Sequence, residues 1–337
     1  MKRRTFIKLL AVGSVAGCAR PDHATIRGFT MGTSYTVELA APIDDAVRTR
    51  LAELIEVELV AINRAMSTYD PRSELSQFNG RQDLRWAPAS PGLLEVLDSA
   101  SRISTANQGA FDVTVGPLVD LWGFGPQIRA RRVPNDAVIE RVRESVDYQH
   151  VQIDLSAGAI RKRDSRTQVD LCAIAKGYGV DRVAMVLDRQ GVHDYLVEIG
   201  GELRARGTTA AGTPWRVGIE RPVEGRHVVG EIVALENRAI ATSGTTEDFF
   251  EQDGRHYSHI IDPKTARPVE HPAMAVSVIA DTTMEADASA TALVVLGPER
   301  GYSLAQARGL AVLFVTASGP TTFDVRVTDA LRGHLLG

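Results

Sequence analysis

Two stretches of this chain carry residues whose types and spacing suit phosphate chemistry. The first is Val169-Asp170-Leu171-Cys172-Ala173-Ile174-Ala175-Lys176-Gly177-Tyr178-Gly179-Val180-Asp181. It reads as the end of a buried strand, a turn of small residues, and a helix carrying Val180, Val183, Ala184 and Leu187 and closed by Gly191. Small side chains let backbone amides approach a ligand closely, and a helix N-terminus presents unpaired N–H groups and partial positive charge to an anion. Lys176 adds a full charge there; the alternative is an ordinary strand-to-helix corner with a solvated lysine.

The second stretch is Met284-Glu285-Ala286-Asp287-Ala288-Ser289-Ala290-Thr291-Ala292-Leu293. On a helix Asp287 and Thr291 stand one turn apart on one face, so a carboxylate and a hydroxyl converge. Both are hard oxygen ligands of the kind Mg²⁺ accepts, with substrate phosphates completing the shell. Alone, such a pair also serves as a cap or a surface hydrogen bond.

The elements that must position these groups are legible around them. Asp44 and Asp45 can cap a helix with an apolar stripe at Val47, Leu51, Leu54, Ile55, Leu59 and Ile62. Further helices are expected over Pro91 to Gln108, Pro134 to Val146, Glu285–Leu296 and Glu299–Arg308. Strand patterns occupy Thr25–Leu39, Tyr195–Ile199, Trp215–Ile219, Val228–Leu235, Ala275–Ala280 and Leu310–Thr316. Arginine-rich residues near Arg129–Arg132 and the loop Glu220–His227 read as the longest linkers. Strands outnumber helices and several are joined by short turns, which predicts an α+β layered fold with a substantial antiparallel sheet.

With 337 residues, 44% apolar and 24% charged, the chain has ample material for one large core or two merged lobes. The N-terminus is read as a targeting segment. Lys2-Arg3-Arg4-Thr5-Phe6-Ile7-Lys8 holds a twin-arginine pair, and the apolar run Leu9 to Ala16 is too short to span a bilayer. Val15-Ala16-Gly17-Cys18 resembles a bacterial lipoprotein cleavage box, which would leave Cys18 as an acylated first residue; an ordinary signal peptide with a chance cysteine is the alternative. Removing residues 1–17 takes away Lys2, Arg3, Arg4 and Lys8 and no acid, moving the formal charge from −4 to −8. A body this acidic is not expected to bind nucleic acid through a general basic surface. With Cys18 lipidated, Cys172 has no partner for a disulfide, and its small size matters more than its thiol.

Ordered motifs across nearly all of the mature chain resemble one family. They are Met31-Gly32-Thr33-Ser34-Tyr35, Tyr69-Asp70-Pro71 with Ser73-Glu74-Leu75-Ser76 and Asn79, Gly109 to Leu118, and Leu121-Trp122-Gly123-Phe124-Gly125. The stretch Asp170–Asp181 follows, then Glu198-Ile199-Gly200-Gly201-Glu202, Trp215-Arg216-Val217-Gly218-Ile219, Thr242-Ser243-Gly244, His259-Ile260-Ile261-Asp262-Pro263 and Ala286 to Leu293. Together they resemble the FAD:protein FMN transferases, the ApbE-type flavin-transferring lipoproteins. No G-x-G-x-x-G fingerprint follows a strand, so a Rossmann dinucleotide site is disfavoured.

The resemblance implies a nucleotide cleft between two lobes and Mg²⁺ held by the Ala173 carbonyl, the Asp287 carboxylate and the Thr291 hydroxyl, with Lys176 facing the pyrophosphate. Met31, Tyr69, Ala110, Phe111, Asp112, Asp170 and Ile261 are the implied flavin and adenosine contacts. Met31 and Tyr69 have soft or flat side chains suited to covering a ring, although each also suits core packing. Asp112 is the kind of residue that caps its own backbone in a turn, with a ribose or adenine contact as the alternative. Thr242-Ser243-Gly244 suits phosphate contacts, Ser243 among them, or a plain turn. His259 can take a proton from an incoming hydroxyl, with Asp262 orienting it, or be a structural histidine bonded to Asp262.

Two positions depart from the family pattern: Thr245-Thr246 follows Gly244 where a polar residue and a tyrosine are usual, and Thr265-Ala266 replaces a Thr-Gly pair. The implied activity is Mg²⁺-dependent transfer of FMN from FAD to a threonine of an acceptor, a flavin-carrying subunit of a membrane redox complex, at the periplasmic face of the membrane. An FAD pyrophosphatase and a non-catalytic FAD-binding lipoprotein are the rival readings. The expected organisation is a signal peptide over 1–17, a lipid-anchored tether over 18–24 and one flavin transferase domain over 25–337.

Overall fold

The computed structural model describes residues 23–127, 130–223, 228–272, 274–319 and 322–336. The expected signal peptide, Cys18 and most of the tether lie outside them, and among the described residues no helix is long and apolar enough to cross a membrane.

At the centre is an eight-stranded antiparallel sheet. Its strands are β1 (Ala24–Thr30), β2 (Thr33–Leu39), β3 (Tyr195–Ile199), β4 (Glu202–Arg206), β5 (Ala239–Gly244), β6 (Met274–Ala280), β7 (Ala311–Ala317) and β8 (Phe323–Val327), lying side by side in that order. The single strand expected over Thr25–Leu39 is in fact a hairpin. Met31 and Gly32 both take positive φ, 46° and 69°, which gives the tight two-residue turn that matches the twist of paired strands.

Alternate residues of the sheet feed two cores. Val197, Val276, Val278, Val312 and Phe314 face helices, while Leu196, Ile279, Leu313 and Val315 face a smaller sheet built from Trp215–Glu220, Val229–Leu235 and Leu335–Leu336. The result is three layers: small sheet, large sheet, helices, in keeping with the α+β expectation.

The helical layer has four long members: α1 (Asp45–Met66), α2 (Pro91–Ala106), α3 (Ala175–Arg189) and α4 (Thr283–Ala307). Asp44 caps α1 by accepting from Val47 N–H at 2.7 Å, and Leu51, Ile55, Leu59 and Ile62 form its buried stripe. The helix expected from Pro134 is shorter, Asp136–Arg143. Gly297, at φ 78° and ψ 175°, interrupts α4 ahead of Pro298, so the two helices expected around that point meet end to end at a kink.

The approach to α3 differs from expectation. Residues 169–171 form no strand; a single bridge joins Gln168 to Val115. Asn79 replaces a strand partner, donating its amide to the Val169 carbonyl and accepting from Val169 N–H, both at 2.8 Å. One side-chain amide can satisfy both backbone groups of a residue, so the segment stays extended without a sheet.

α3 and α4 lie against one another at Gly177. A β-carbon there would stand 2.4 Å from the Thr283 carbonyl oxygen and 2.8 Å from the Met284 α-carbon, backbone atoms that cannot swing aside. Gly177→Ala is therefore expected to lower stability by a net amount of about 1–2 kcal/mol, overpacking outweighing the alanine's better helix propensity. Urea unfolding measures it, and an unchanged midpoint would mean the two helices can part freely.

The turn 109–114 supplies a second test. Asp112 is buried and accepts from Thr114 N–H at 2.7 Å, Thr114 hydroxyl at 2.6 Å and Tyr148 N–H at 2.9 Å. Burial outweighs these donors and pushes its carboxyl up from 3.8 to about 6. Because the unfolded chain releases this proton first, the contribution of Asp112 falls as pH rises from about 4 to about 6 and stays low above that. Relative to the parent, Asp112→Asn should gain stability between pH 4 and 7.5 by up to about 3 kcal/mol. A difference that is constant with pH would contradict this account.

Candidate active site

The N-terminus of α3 and the second turn of α4 meet. Gly177 N–H donates to Asp287 Oδ2 at 3.0 Å, and Asp287 is 3% exposed. The contact is returned from the other side: Asp181, one turn further along α3, accepts from Thr283 N–H and hydroxyl at 3.0 Å each and from Met284 N–H at 2.9 Å. Each helix thus offers a carboxylate to the free amides at the other's start. α3 has no side-chain cap of its own at Ile174, which leaves its first turn open to such a partner.

Lys176 stands in that first turn and pairs with Glu202 at the start of β4. Gly200, at φ 59° in the β3–β4 turn, lies against the lysine stem, a β-carbon there being 3.4 Å from Lys176 Cδ. Glu202 is 2% exposed, and its second oxygen, Oε2, is buried without a hydrogen-bond partner. Burial raises the carboxyls of Glu202 and Asp287, the Lys176 ammonium opposes that rise in each, and the two carboxylates repel. Lys176 is in turn held protonated by them against the cost of its burial. Neighbouring Glu198, buried and accepting from Gly201 N–H at 2.8 Å, is pushed up to about 7 mainly by burial.

Thr291, the next residue on the Asp287 face, has its hydroxyl 2.9 Å from that of Ser243 on β5. Ala173 lies half-buried in the turn that opens α3. Among the described residues no group of three His, Cys, Asp or Glu is arranged to hold a metal. The expected set has only one carboxylate, with a hydroxyl and a carbonyl. Hard oxygens suit Mg²⁺, and a locality with two buried carboxylates, one ammonium and an unpartnered carboxylate oxygen is short of positive charge. The residues present fit a divalent cation.

His259 approaches from another direction. It follows a hairpin of β9 (Phe249–Gln252) and β10 (Arg255–Ser258), and both its N–H and its ring Nδ1 contact the Asp248 carbonyl, at 2.9 and 3.0 Å. A carbonyl only accepts, so Nδ1 carries the proton and Nε2 is left with a lone pair. Asp262 does not orient this ring as the sequence suggested. Its Oδ1 accepts from Lys264 N–H at 2.8 Å and its carbonyl from Ala266 N–H, closing the next turn. Ala266, standing where glycine is usual, takes φ 58° in that turn and is fully buried. Glu247, to which the sequence reading gave no role, has its carboxyl pushed up, with the charges of His259 and Lys176 opposing the rise.

Tyr69, 62% exposed, and Asp170 line a cavity of about 340 Å³ with Thr68, Ser76, Asn79 and Gly116. Asp170 also accepts from Cys172 N–H at 2.8 Å. Met31 is half-buried, with its methyl lying on α3 at Gly179. Ala110, Phe111 and Ile261 are buried, and Asp112 takes the capping alternative described above. Glu202 stood inside a quoted motif without a role, and Asp181 closed another; only the fold shows what each touches.

Comparison with known proteins identifies the family and the fold. The sequence profile of the ApbE family matches residues 31–314. A FAD:protein FMN transferase of Vibrio cholerae serotype O1 is 41% identical over 314 residues, covering 93% of each chain. That of Escherichia coli K12 is 38% identical over 303 residues, covering 88% of this chain and 86% of its own. The solved flavin transferase ApbE of Vibrio cholerae superposes with a TM-score of 0.84 at 39% identity, covering 93% of this chain and 99% of its own. The ApbE protein of Thermotoga maritima superposes at 0.82 with only 27% identity, over 92% and 98% of the chains. In sequence and fold alike, the chain belongs to the ApbE family.

Proposed function

We propose that this protein transfers the FMN half of FAD to a threonine hydroxyl of an acceptor protein, forming a phosphoester and releasing AMP, with Mg²⁺ as its metal. The observation that carries the reading is the 3.0 Å contact from Gly177 N–H to Asp287, which gathers a helix N-terminus, the Lys176 ammonium and a buried carboxylate at one point. Relatives named FAD:protein FMN transferases, alike over most of their length, supply the reaction.

The atoms balance as follows. The acceptor oxygen bonds to the FMN phosphorus, the bond from that phosphorus to the bridging oxygen breaks, and AMP leaves with the bridging oxygen. The hydroxyl proton goes to Nε2 of His259, whose protonated Nδ1 already faces the Asp248 carbonyl. Lys176 and the first turn of α3 stabilise the diphosphate as charge moves onto the leaving group. The Ala173 carbonyl, Asp287 carboxylate and Thr291 hydroxyl would hold Mg²⁺, which when bound draws charge from phosphate oxygens. Tyr69 and Asp170, which line the cavity, would meet the nucleotide, and Met31 and Ser243 border α3 and α4. Ala110, Phe111 and Ile261, which are buried, would meet the flavin or adenosine only along their backbone edges. The cleavage-box pattern at Cys18 supports a lipid anchor at the periplasmic face, where a flavin-carrying subunit of a membrane redox complex is the acceptor that fits.

Intact-mass spectrometry of an acceptor domain incubated with the full chain, FAD and Mg²⁺ tests this. The expected result is an FMN phosphoryl adduct with one AMP per adduct; free FMN beside an unmodified acceptor would indicate a pyrophosphatase, and intact FAD a flavin carrier. Under the same conditions Asp287→Ala is expected to lose about 100-fold or more of the rate, since several kcal/mol of charge stabilisation go with it. Parent-like turnover in that variant would remove the metal assignment. His259→Asn should cost about 10²- to 10⁴-fold while leaving FAD binding intact; the two losses together would instead mark a binding residue.

A further inference from the structure

The arginine-containing strap after Phe124 reads in the sequence as a linker, yet Arg131 is anchored at several points. Its Nη1 donates to the Phe249 carbonyl at 3.0 Å, and Nη2 to Asp248 Oδ2 at 2.9 Å. Nη1 also lies 2.6 Å from Asp248 Oδ1, making the pair bidentate. Its guanidinium sits over the Phe124 ring, 5.0 Å from the centroid. Two residues on, Val133 N–H donates to Gln252 Oε1 at 3.0 Å, so the strap is laced to the β9–β10 hairpin.

Both groups gripped by Arg131 are the groups that hold His259. Asp248 gives its carbonyl to the histidine's N–H and Nδ1–H. The Phe124 ring meets the imidazole edge-on, with centroids 6.4 Å apart. The Arg131 and Asp248 side chains are 28% and 35% exposed, so solvent screens part of their attraction. What a planar fork supplies is direction: it holds the Asp248 carboxylate and the Phe249 carbonyl, next to the Asp248 carbonyl that meets His259.

We propose that Arg131 is a positioning residue for His259, setting the imidazole through the Asp248 backbone and the Phe124 ring. This rests on the reading of His259 as proton acceptor. A base whose ring is released by about an ångström loses alignment with the incoming hydroxyl, while FAD, held elsewhere, binds as before.

The test is a double-variant cycle in the full chain, reading single-turnover flavinylation at saturating FAD, the FAD dissociation constant and the thermal midpoint. Arg131→Ala should slow turnover by about 10- to 100-fold and change FAD affinity by about twofold or less. Arg131→Lys should recover part of the rate, because an ammonium can meet Asp248 but cannot reproduce the fork. In a His259→Asn background, Arg131→Ala should cost about twofold or less, since the ring it positions is gone. Equal losses in both backgrounds, or FAD affinity falling in step with rate, would overturn the inference and leave Arg131 a structural tie. If His259→Asn alone turns over at the parent rate while the parent transfers flavin normally, the base reading fails and this inference with it.

Discussion

The arrangement depends on the exchange of carboxylates between two helix starts. Asp287 of α4 accepts from the first turn of α3, and Asp181 of α3 accepts from the first turn of α4. Because the free amides of a helix point along its axis, two helices can answer each other in this way only if their N-termini lie side by side. Gly177 permits the approach, since any β-carbon would strike the Thr283 backbone. Two positive dipole ends then stand together, which is unfavourable until carboxylates or a bound anion complete them. The meeting of the two helix starts is therefore built into the packing of the helical layer rather than added at its surface.

Charge balance follows from the same contact. Asp287 sits near Asp181 and opposite Lys176, and Glu202 meets Lys176 from the β3–β4 turn. Burying charged groups is costly unless each is paired, and here burial raises both carboxyls while one ammonium, Lys176, opposes the rise in each. Lys176 pairs with Glu202 and offsets the charge of Asp287, so one ammonium serves both carboxyls. Replacing the Lys176–Glu202 pair by apolar residues would ease the burial cost but leave Asp287 without a counter-charge, so the pair has a role that packing alone does not provide.

Much of this was legible in the sequence where local rules govern. The α1 cap and stripe, the glycine-closed α3, the break before Pro298 and the alternating strands all follow from propensity and period. The Asp287–Thr291 face followed from helical spacing, because one turn is one turn whatever lies opposite. What escaped were relations between distant segments. A single side-chain amide from Asn79 stands in for a strand at Val169, and no periodicity signals that. His259 is oriented by a main-chain carbonyl of Asp248, which any residue type would supply, so the sequence pointed instead to the nearest carboxylate, Asp262. Glycine's absence at position 266 was visible, but its consequence required the backbone: a left-handed alanine whose strain of about 1–2 kcal/mol is partly offset by its buried methyl, about 0.8 kcal/mol.

The site also divides its tasks between parts of different rigidity. The groups proposed to face phosphate come from α3, α4 and the central strands β4 and β5 of the large sheet, elements anchored in the buried aliphatic cores. His259 instead follows a two-stranded hairpin outside that sheet, steadied by stacking of Phe124, Phe250 and Tyr257 and by the Asp248 carbonyl. A phosphate site gains from a fixed field, because charge development is met without reorganisation. A proton acceptor for a hydroxyl on another macromolecule must be reached by a bulky partner, and a small outlying hairpin can present it without opening the sheet. On the proposed reading, separating the fixed field from the presented base would let one fold bind FAD and still admit a protein as its second substrate.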